Sequence, residues 1–299
     1  MKAKVLLGLT VLVLIFPALA LAGGSSSQPS CNTKYPIVLA HGMFASAEIL
    51  GVVDYWWGIP SELRDNGASV YITSVNGMDT TVNKAVSFKT QFLQILAVTG
   101  KAKANIIGHS HGGIYTRYAI TNLGLGAKVA SLTTLCSPHK GSALGDLFAQ
   151  GLSSGPLGAL GGATLDWLYT FLMGDTNPDS TANFIDVSRP YMQNIFNPNT
   201  PNVAGVYYQS WAGKVKLYAP SLVLTPTWLI MLAYEGANDG VVAVNSAKWG
   251  NYRGEQSGAW YSPGVDHMGM VGHLFGVTPG FDAPGFYVSI VKDLKGRGL

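Results

Sequence analysis

A serine between two glycines is the best-placed nucleophile in this sequence. Ser110 lies in Gly108-His109-Ser110-His111-Gly112, after the apolar run 104–107 and before a helix-compatible segment that begins at Ile114. A sharp turn between strand and helix lifts a serine hydroxyl above a sheet, and a Cβ at either flanking glycine would obstruct that turn. The pattern alone is weak in a chain with 37 glycines. A glycine-rich turn with an incidental serine is therefore the alternative interpretation.

A serine nucleophile needs a histidine base and an acid that orients the base. When the serine lies on a strand–turn–helix elbow, the acid precedes the histidine in the chain. We predict Asp239 as the acid and His267 as the base, in preference to His273. Glu235 is the fallback acid, and an Asx turn without a catalytic role is the structural alternative for Asp239.

The remaining histidines near these motifs receive other roles. We expect the rings of His109 and His111 to point away from the serine hydroxyl, and His139 to be a structural or lid-anchoring residue. Attack on an ester carbonyl places negative charge on its oxygen, which two backbone N–H groups must stabilise. We predict that Met43 and His111 supply these two amides, with the His111 imidazole taking no part.

Alternating strands and helices must position these residues. Short connections join them, which predicts a doubly wound, mostly parallel sheet with ligands beyond the carboxyl ends of the strands. The predicted strands are 35–40, 69–72, the run into Ser110, 129–135, 203–209, 215–218 and 227–234. The predicted helices include 61–66, 82–98, 114–123 and 285–294.

The alternation stops in the region of about 142–184. Its centre, 165–173, is apolar on every side of any helix drawn through it. Such a helix is buried or covers a surface that is sometimes exposed, so a core helix and a mobile lid both stay open. Position beside Ser110, after the strand 129–135, favours a helical lid insertion.

The first residues have the pattern of a secretory signal peptide. Lys2 and Lys4 precede the apolar run 5–16, and small residues offer a cleavage site before residue 23. The run is short for a transmembrane anchor, which is the alternative. We therefore expect a signal peptide at 1–22, a flexible lead-in at 23–34, a single domain at 35–299 and a secreted protein.

Composition excludes one class of partner. The net charge is only +3 and basic residues do not cluster, so a nucleic-acid partner is not expected. Hydrophobic residues make up 47% of the chain and charged residues 12%, which favours a large core or an apolar binding surface. The two cysteines, Cys31 and Cys136, lie at opposite ends of their predicted strands, too far apart for a disulfide.

Several ordered blocks resemble the secreted bacterial true lipases of the Pseudomonas and Burkholderia type. The blocks are Tyr35-Pro36-Ile37-Val38-Leu39-Ala40-His41-Gly42-Met43, 107–113, 137–142, 238–240 and 267–278. The resemblance runs over most of 34–278, with the lid region and the stretch before His267 divergent. It implies an α/β-hydrolase fold with a mobile lid, and hydrolysis of triacylglycerol or related esters. It also implies Ser110, Asp239 and His267 as a catalytic triad, with the amides of Met43 and His111 as the oxyanion hole.

The sequence departs from that family at its calcium site. The family holds a calcium ion near the catalytic histidine, with two aspartates among the ligands, and Ala219 and Gly269 occupy those positions here. Neither side chain binds a hard cation, so we expect no calcium and no other cofactor. The family's disulfide is also missing. Many of these lipases need a membrane-bound folding chaperone, and the sequence leaves that requirement open.

The sequence thus predicts a secreted serine ester hydrolase, most simply a triacylglycerol lipase that acts on a lipid or other apolar ester at an interface. A polyester depolymerase or a short-chain esterase with the same triad is the alternative. A hydrolase-fold binding protein without catalysis is a more distant one, because every residue type needed for catalysis is present.

Overall fold

A parallel sheet places the predicted nucleophile near its centre. The computed structural model describes residues 29–43, 48–49, 53–149, 180–273 and 276–299. Six parallel strands follow the order β4-β1-β5-β6-β7-β8, β9 pairs antiparallel with β7, and β2 and β3 form a separate antiparallel pair. The strands are β1 Ile37–Ala40, β2 Glu48–Ile49, β3 Val53–Asp54, β4 Val70–Thr73, β5 Ala104–His109, β6 Val129–Leu135, β7 Tyr207–Val215, β8 Asn251–Gln256 and β9 Gly264–Val265.

Helices connect these strands. They are α1 Ile59–Asp65, α2 Thr81–Thr99, α3 His111–Asn122, α4 Ala143–Ala149, α5 Ser180–Ile185, α6 Thr225–Glu235 and α7 Ala283–Gly296. Shorter helical segments are Arg189–Tyr191, the π-helix Met192–Phe196, Asn197–Asn199, and the 3₁₀ turns Gly126–Lys128, Leu222–Leu224 and Gly269–Val271. In the described part of the chain, no helix combines the length and apolarity that a bilayer crossing requires.

Two apolar layers cover the sheet. Every residue of β1, β5 and β6 is buried, as expected for central parallel strands with helices on both faces. Side chains alternate along β1: Ile37 and Leu39 pack with α1 and α7, whereas Val38 and Ala40 pack with α2 and α3. The predicted doubly wound, mostly parallel sheet is confirmed.

One predicted strand is wrong. Residues 227–234 lie in the helix α6, where Thr227, Trp228 and Met231 form the buried face. Leu229 and Leu232 stay exposed, so the helix is apolar on both faces and its helical period is hidden in the sequence. Pro226 in the first turn, followed by Leu, Met and Ala, is the composition of a helix.

The two predicted strands 203–209 and 215–218 overlap the two ends of one strand, β7 (Tyr207–Val215), and residues 203–206 and 216–218 lie outside it. The sequence shows a break there because Ser210 and Gly213 interrupt the apolar run. Both residues have a structural reason to lie in this strand. Ser210 Oγ donates to the Trp249 carbonyl and accepts the Trp249 N–H. Gly213 lies close to Asp239, since a Cβ on Gly213 would be 3.0 Å from Asp239 Cβ. The polar strand β8 beside it was not predicted.

The flexible lead-in 23–34 stays a prediction, and its described part, residues 29–34, contacts the folded domain. Cys31 is fully buried, its N–H donates to the Asn66 carbonyl at 2.9 Å, and Lys34 N–H donates to the Leu299 carbonyl at 3.0 Å. These contacts fix the segment beside α1 and the end of the chain. The predicted signal peptide, and residues 150–179 of the predicted lid, lie outside the described residues.

Candidate active site

The turn between β5 and α3 has the backbone of a nucleophile elbow. Ser110 has φ 55° and ψ −130°, a conformation that L-residues rarely adopt, and it is 9% exposed. A Cβ on Gly108 would lie 2.7 Å from the Gly113 nitrogen, and a Cβ on Gly112 would collide with the Ala40 carbonyl. The two glycines are thus required for steric reasons, as the sequence predicted. A strained residue held by its surroundings at a strand end is a common feature of catalytic sites.

The loop after β1 closes over this serine. A Cβ on Gly42 would lie 2.7 Å from Ser110 Cβ and 3.1 Å from Ser110 Oγ, so only glycine allows the approach. Gly42 N–H donates to the Tyr55 hydroxyl at 3.0 Å, and His41 O accepts from the Tyr115 hydroxyl at 3.0 Å. The half-buried Met43 follows directly. The backbone here is held from both sides, which suits a fixed N–H donor.

The Tyr55 hydroxyl joins this loop to the elbow. It lies 2.6 Å from His109 Nδ1 while it accepts from Gly42 N–H. His109 is buried, and burial lowers its pKa well below the usual value, so the ring is neutral. A neutral ring with Nδ1 as the acceptor matches a Tyr55 hydroxyl that donates to it. The sequence did not identify Tyr55, because 54 residues separate it from His109.

The His111 imidazole takes part in a buried polar cluster. Its Nδ1 lies 2.9 Å from Lys84 Nζ, and its Nε2 lies 2.7 Å from Thr81 Oγ1. Lys84 is 1% exposed, also donates to Asn183 Oδ1 at 3.1 Å, and has its pKa lowered to about 7 by burial. His111 is the first residue of α3, where backbone N–H groups are free of helical partners. The imidazole therefore fixes the residue whose amide was predicted to bind the oxyanion.

Asp239 and His267 contact each other directly. His267 Nδ1 lies 2.8 Å from Asp239 Oδ2, and His267 N–H donates to the Asp239 carbonyl at 2.8 Å. The other carboxylate oxygen, Oδ1, accepts the N–H groups of Val241 and Val242 at 2.9 and 2.7 Å. Asp239 is fully buried, so these donors replace its hydration. With Nδ1 occupied, Nε2 is the nitrogen of His267 that can accept a proton.

His267 lies beside the elbow. Its ring centroid is 4.5 Å from that of His109, the residue before Ser110. No hydrogen bond joins Ser110 Oγ to His267 in the described residues. Such bonds are often long in an enzyme without substrate and shorten when the substrate binds. The buried ring of His109 thus packs against the ring of His267.

The rejected candidates lie elsewhere. His273 Nε2 contacts the carbonyls of Asp54 and Tyr55 at 3.0 and 3.1 Å. Glu235 accepts from Ala143 N–H at 3.1 Å, at the start of α4. His139 is fully buried, lies 2.8 Å from Thr134 Oγ1 and stacks on Trp249, which makes it a structural residue.

Asp266 is a buried carboxylate that the sequence did not single out. It directly precedes His267, and its two oxygens accept the N–H groups of Ser221 at 2.5 Å and Gly269 at 2.7 Å. Burial raises its pKa, and the neighbouring Asp239 raises it further. Asp266 therefore joins the histidine loop to the loop after β7. Gly269 takes part in this contact through its backbone N–H alone, and Ala219 lies in an apolar cluster.

The sheet order and the strained serine turn together define an α/β hydrolase. A family model described as the α/β hydrolase fold matches residues 35–158. The crystal structure of a Bacillus licheniformis lipase in mature form superposes with a TM-score of 0.66 at 20% identity, covering 88% of this chain and 93% of that one. The crystal structure of a metagenomic carboxyl esterase gives a TM-score of 0.65 at 16% identity, over 88% and 76%.

Relatives identify the family within that class. A triacylglycerol lipase of Vibrio cholerae is 31% identical over 304 aligned positions, which cover 92% of either chain. A triacylglycerol lipase of Burkholderia plantarii is 38% identical over 129 residues, or 42% of this chain and 36% of that protein. The chain belongs to the bacterial lipases of the α/β-hydrolase superfamily, and it is an ester hydrolase.

Proposed function

We propose that this protein is a secreted triacylglycerol lipase that works through an acyl-enzyme on Ser110. The observation that carries the proposal is the contact of His267 with the buried Asp239, 2.8 Å apart, beside the strained turn of Ser110. The names of the relatives support the substrate class. No metal or cofactor takes part in the proposed reaction.

In the first half of the reaction, Ser110 Oγ attacks the ester carbonyl carbon while His267 Nε2 takes its proton. Asp239 keeps the imidazole oriented and stabilises the imidazolium that forms. The carbonyl oxygen gains negative charge, and the amides of Met43 and His111 donate to it. When the tetrahedral intermediate collapses, the C–O bond to the alcohol breaks and His267 protonates the departing oxygen.

In the second half, water replaces the alcohol. His267 takes a proton from the water, whose oxygen attacks the acyl carbon of the Ser110 ester. A second tetrahedral intermediate forms at the same two amides and then releases the carboxylic acid, with the proton returned to Ser110 Oγ. Loss of one amide donor of this kind costs about 3–4 kcal/mol of transition-state stabilisation in a hydrolase.

An interface is the proposed place of action. Large apolar side chains are exposed before α6 and in the loop before β9. Leu217 is 71% exposed, Leu222 is 72% exposed and Trp260 is 92% exposed. Apolar groups on the surface of a secreted protein favour contact with a lipid phase. We propose that region 142–184 is a lid over the site and that residues 1–22 are removed on export.

The test is a chain-length series of esters, measured both below and above their solubility limit, together with a polyester film. We expect the wild-type protein to hydrolyse emulsified long-chain triglyceride, with a rise in rate when the interface forms. Ser110→Ala should fold as the wild type does and hydrolyse none of the esters. Preference for the film or for soluble short-chain esters would replace the lipase assignment by a depolymerase or an esterase.

A further inference from the structure

The residue after β6 shares the strain of the nucleophile. Among the described residues, Ser110 and Cys136 are the non-glycine residues with positive φ, at 55° and 52°. A side chain in this conformation costs energy that glycine would avoid. Cys136 is fully buried and is a free thiol. The strain therefore places a sulfur atom where the backbone alone would favour glycine.

This sulfur atom lies beside the two histidines of the site. One ligand atom each from His109, Cys136 and His267 lies within 4.8 Å of the other two. Three atoms at such distances share a point that is at most about 2.8 Å from each of them (4.8 Å divided by √3). Zinc binds imidazole nitrogen and thiolate sulfur at about 2.0–2.3 Å. Movements of about 0.5 Å for the sulfur atom and about 0.7–0.8 Å for the two nitrogen atoms would bring them to that distance.

His109 Nε2 is buried and, among the described residues, makes no hydrogen bond beyond a polar contact with the main chain of His267. While Nδ1 accepts from the Tyr55 hydroxyl, Nε2 carries the ring proton. A cation at Nε2 therefore needs the other neutral tautomer, in which the proton lies on Nδ1 and is donated to the Tyr55 oxygen. Cys136 Sγ accepts the N–H of Gly213 at 3.1 Å, and its S–H donates to the Asp239 carboxylate, a hydrogen bond that a bound cation would replace. An unpaired buried nitrogen is costly unless something binds it. The set of two imidazoles and one thiolate matches a borderline-soft divalent cation.

In the free protein the thiol holds its proton. Burial raises the pKa of Cys136 well above its usual value, and the neighbouring Asp239 adds to that effect. A cation would therefore displace the thiol proton into solvent when the metal–sulfur bond forms. No redox change is involved.

We propose that His109, Cys136 and His267 form an inhibitory binding site for Zn²⁺. A cation bound there engages the imidazole of His267, so His267 is no longer free to take the proton of Ser110. The inhibitory effect rests on the proposed function, whereas the binding itself does not. The site is distinct from the calcium position near Ala219, since thiolate and imidazole suit a softer ion than calcium.

The test combines a binding signal with an activity signal. Co²⁺ replaces Zn²⁺ in such sites, and a thiolate–cobalt bond gives an absorption band that metal bound by histidine alone lacks. Wild-type protein, Cys136→Gly and Cys31→Ser are titrated with CoCl₂. Glycine suits φ 52°, so Cys136→Gly keeps the turn, which thermal unfolding verifies. Cys31→Ser is the matched control, because it removes the other buried thiol.

We expect one Co²⁺ per chain and the thiolate band in the wild type and in Cys31→Ser, with no band in Cys136→Gly. In ester hydrolysis, each variant is normalised to its own rate without zinc. The Zn²⁺ concentration for half inhibition should rise at least tenfold in Cys136→Gly and stay unchanged in Cys31→Ser.

A wild type without the thiolate band, or equal zinc sensitivity in all three proteins, would overturn the site. If the cobalt band forms through Cys136 but the wild type hydrolyses no ester, the metal site stands and the proposed function fails. If hydrolysis is normal and the band is absent, the proposed function stands and the metal site fails.

Discussion

The hydroxyl of Tyr55 lies 2.6 Å from His109 Nδ1 and accepts the N–H of Gly42, so one side chain joins the loop after β1 to the nucleophile turn. Both partners are buried. With the Tyr115 hydroxyl, which donates to the His41 carbonyl, the Tyr55 hydroxyl holds the loop that carries the predicted Met43 amide. Tyr55 supports the oxyanion site without belonging to the three residues of the triad.

Tyr55→Phe should therefore lower both stability and kcat. The variant leaves the N–H of Gly42 and Nδ1 of His109 without partners, which costs about 1–3 kcal/mol for a buried polar group. The loop carrying Met43 is then less well held. We expect a lower urea midpoint and a kcat that falls more than KM rises.

Tyr287→Phe is the control for that substitution. Tyr287 is buried in the same region, with its ring 6.0 Å from that of Trp56, but its hydroxyl makes no hydrogen bond to any described residue. Removal of that hydroxyl should leave stability unchanged or raise it. Equal losses of stability and kcat in the two variants would show that the hydrogen bonds of the Tyr55 hydroxyl do not support the oxyanion site.

Asp239→Asn should reduce kcat by about 10⁴-fold, the loss seen when the orienting acid of a serine triad becomes an amide. Glu235→Gln should retain hydrolysis, because Glu235 contacts Ala143 and Arg189 rather than His267. Steady-state kinetics on a soluble ester, with circular dichroism as a check of folding, compare the two variants. A larger loss in Glu235→Gln would assign the acid to Glu235.

Lys84 should make stability depend on pH in the alkaline range. Burial lowers its pKa to about 7 in the folded protein, against 10.5 as its ordinary value. Between these values the unfolded chain binds the extra proton, so the free energy of unfolding rises with pH by about 1.4 kcal/mol per unit for this group. Its contribution is constant above 10.5 and below about 7.

Lys84→Met lacks this proton. We therefore measure urea unfolding of both proteins at pH 7, 8 and 9. The free energy of unfolding of the wild type minus that of Lys84→Met should increase as pH rises. A difference between the two proteins that does not change with pH would show that Lys84 keeps its ordinary pKa.

Removal of calcium should not destabilise the protein. The Asp266 carboxylate already joins the loops that carry Ser221 and Gly269, and Ala219 and Gly269 offer no oxygen side chain. We expect the same Tm with EDTA, with added CaCl₂ and in buffer alone. A Tm that falls with the chelator and recovers specifically with calcium would mean that a calcium site exists.

The elbow could be predicted from sequence because its constraints are local. Gly108 and Gly112 are required by neighbours within the turn or on the next strand, and the pattern around Ser110 records that requirement. Asp239 and His267 could be selected because few histidines follow the serine and because the acid ends a tight turn. The five-residue motif alone did not distinguish a catalytic serine from an incidental one.

The supporting residues could not be predicted, because their contacts join distant parts of the chain. Lys84 meets His111 across 27 residues, and Asp266 meets Ser221 across 45. The helix α6 was predicted as a strand because its exposed Leu229 and Leu232 hide the helical period. Periodicity reports burial on one face, and a helix with apolar groups on both faces carries no such signal.

The central claim is that Ser110 is the nucleophile that carries the acyl group. The direct measurement is labelling with a fluorophosphonate ester, which forms a stable bond to an activated serine, followed by intact-mass and peptide analysis. We predict one adduct per chain, on the peptide that contains Ser110, with complete loss of hydrolysis and no adduct in Ser110→Ala or after prior denaturation. Full hydrolysis by Ser110→Ala, or an adduct on a different residue of the wild type, would contradict the account.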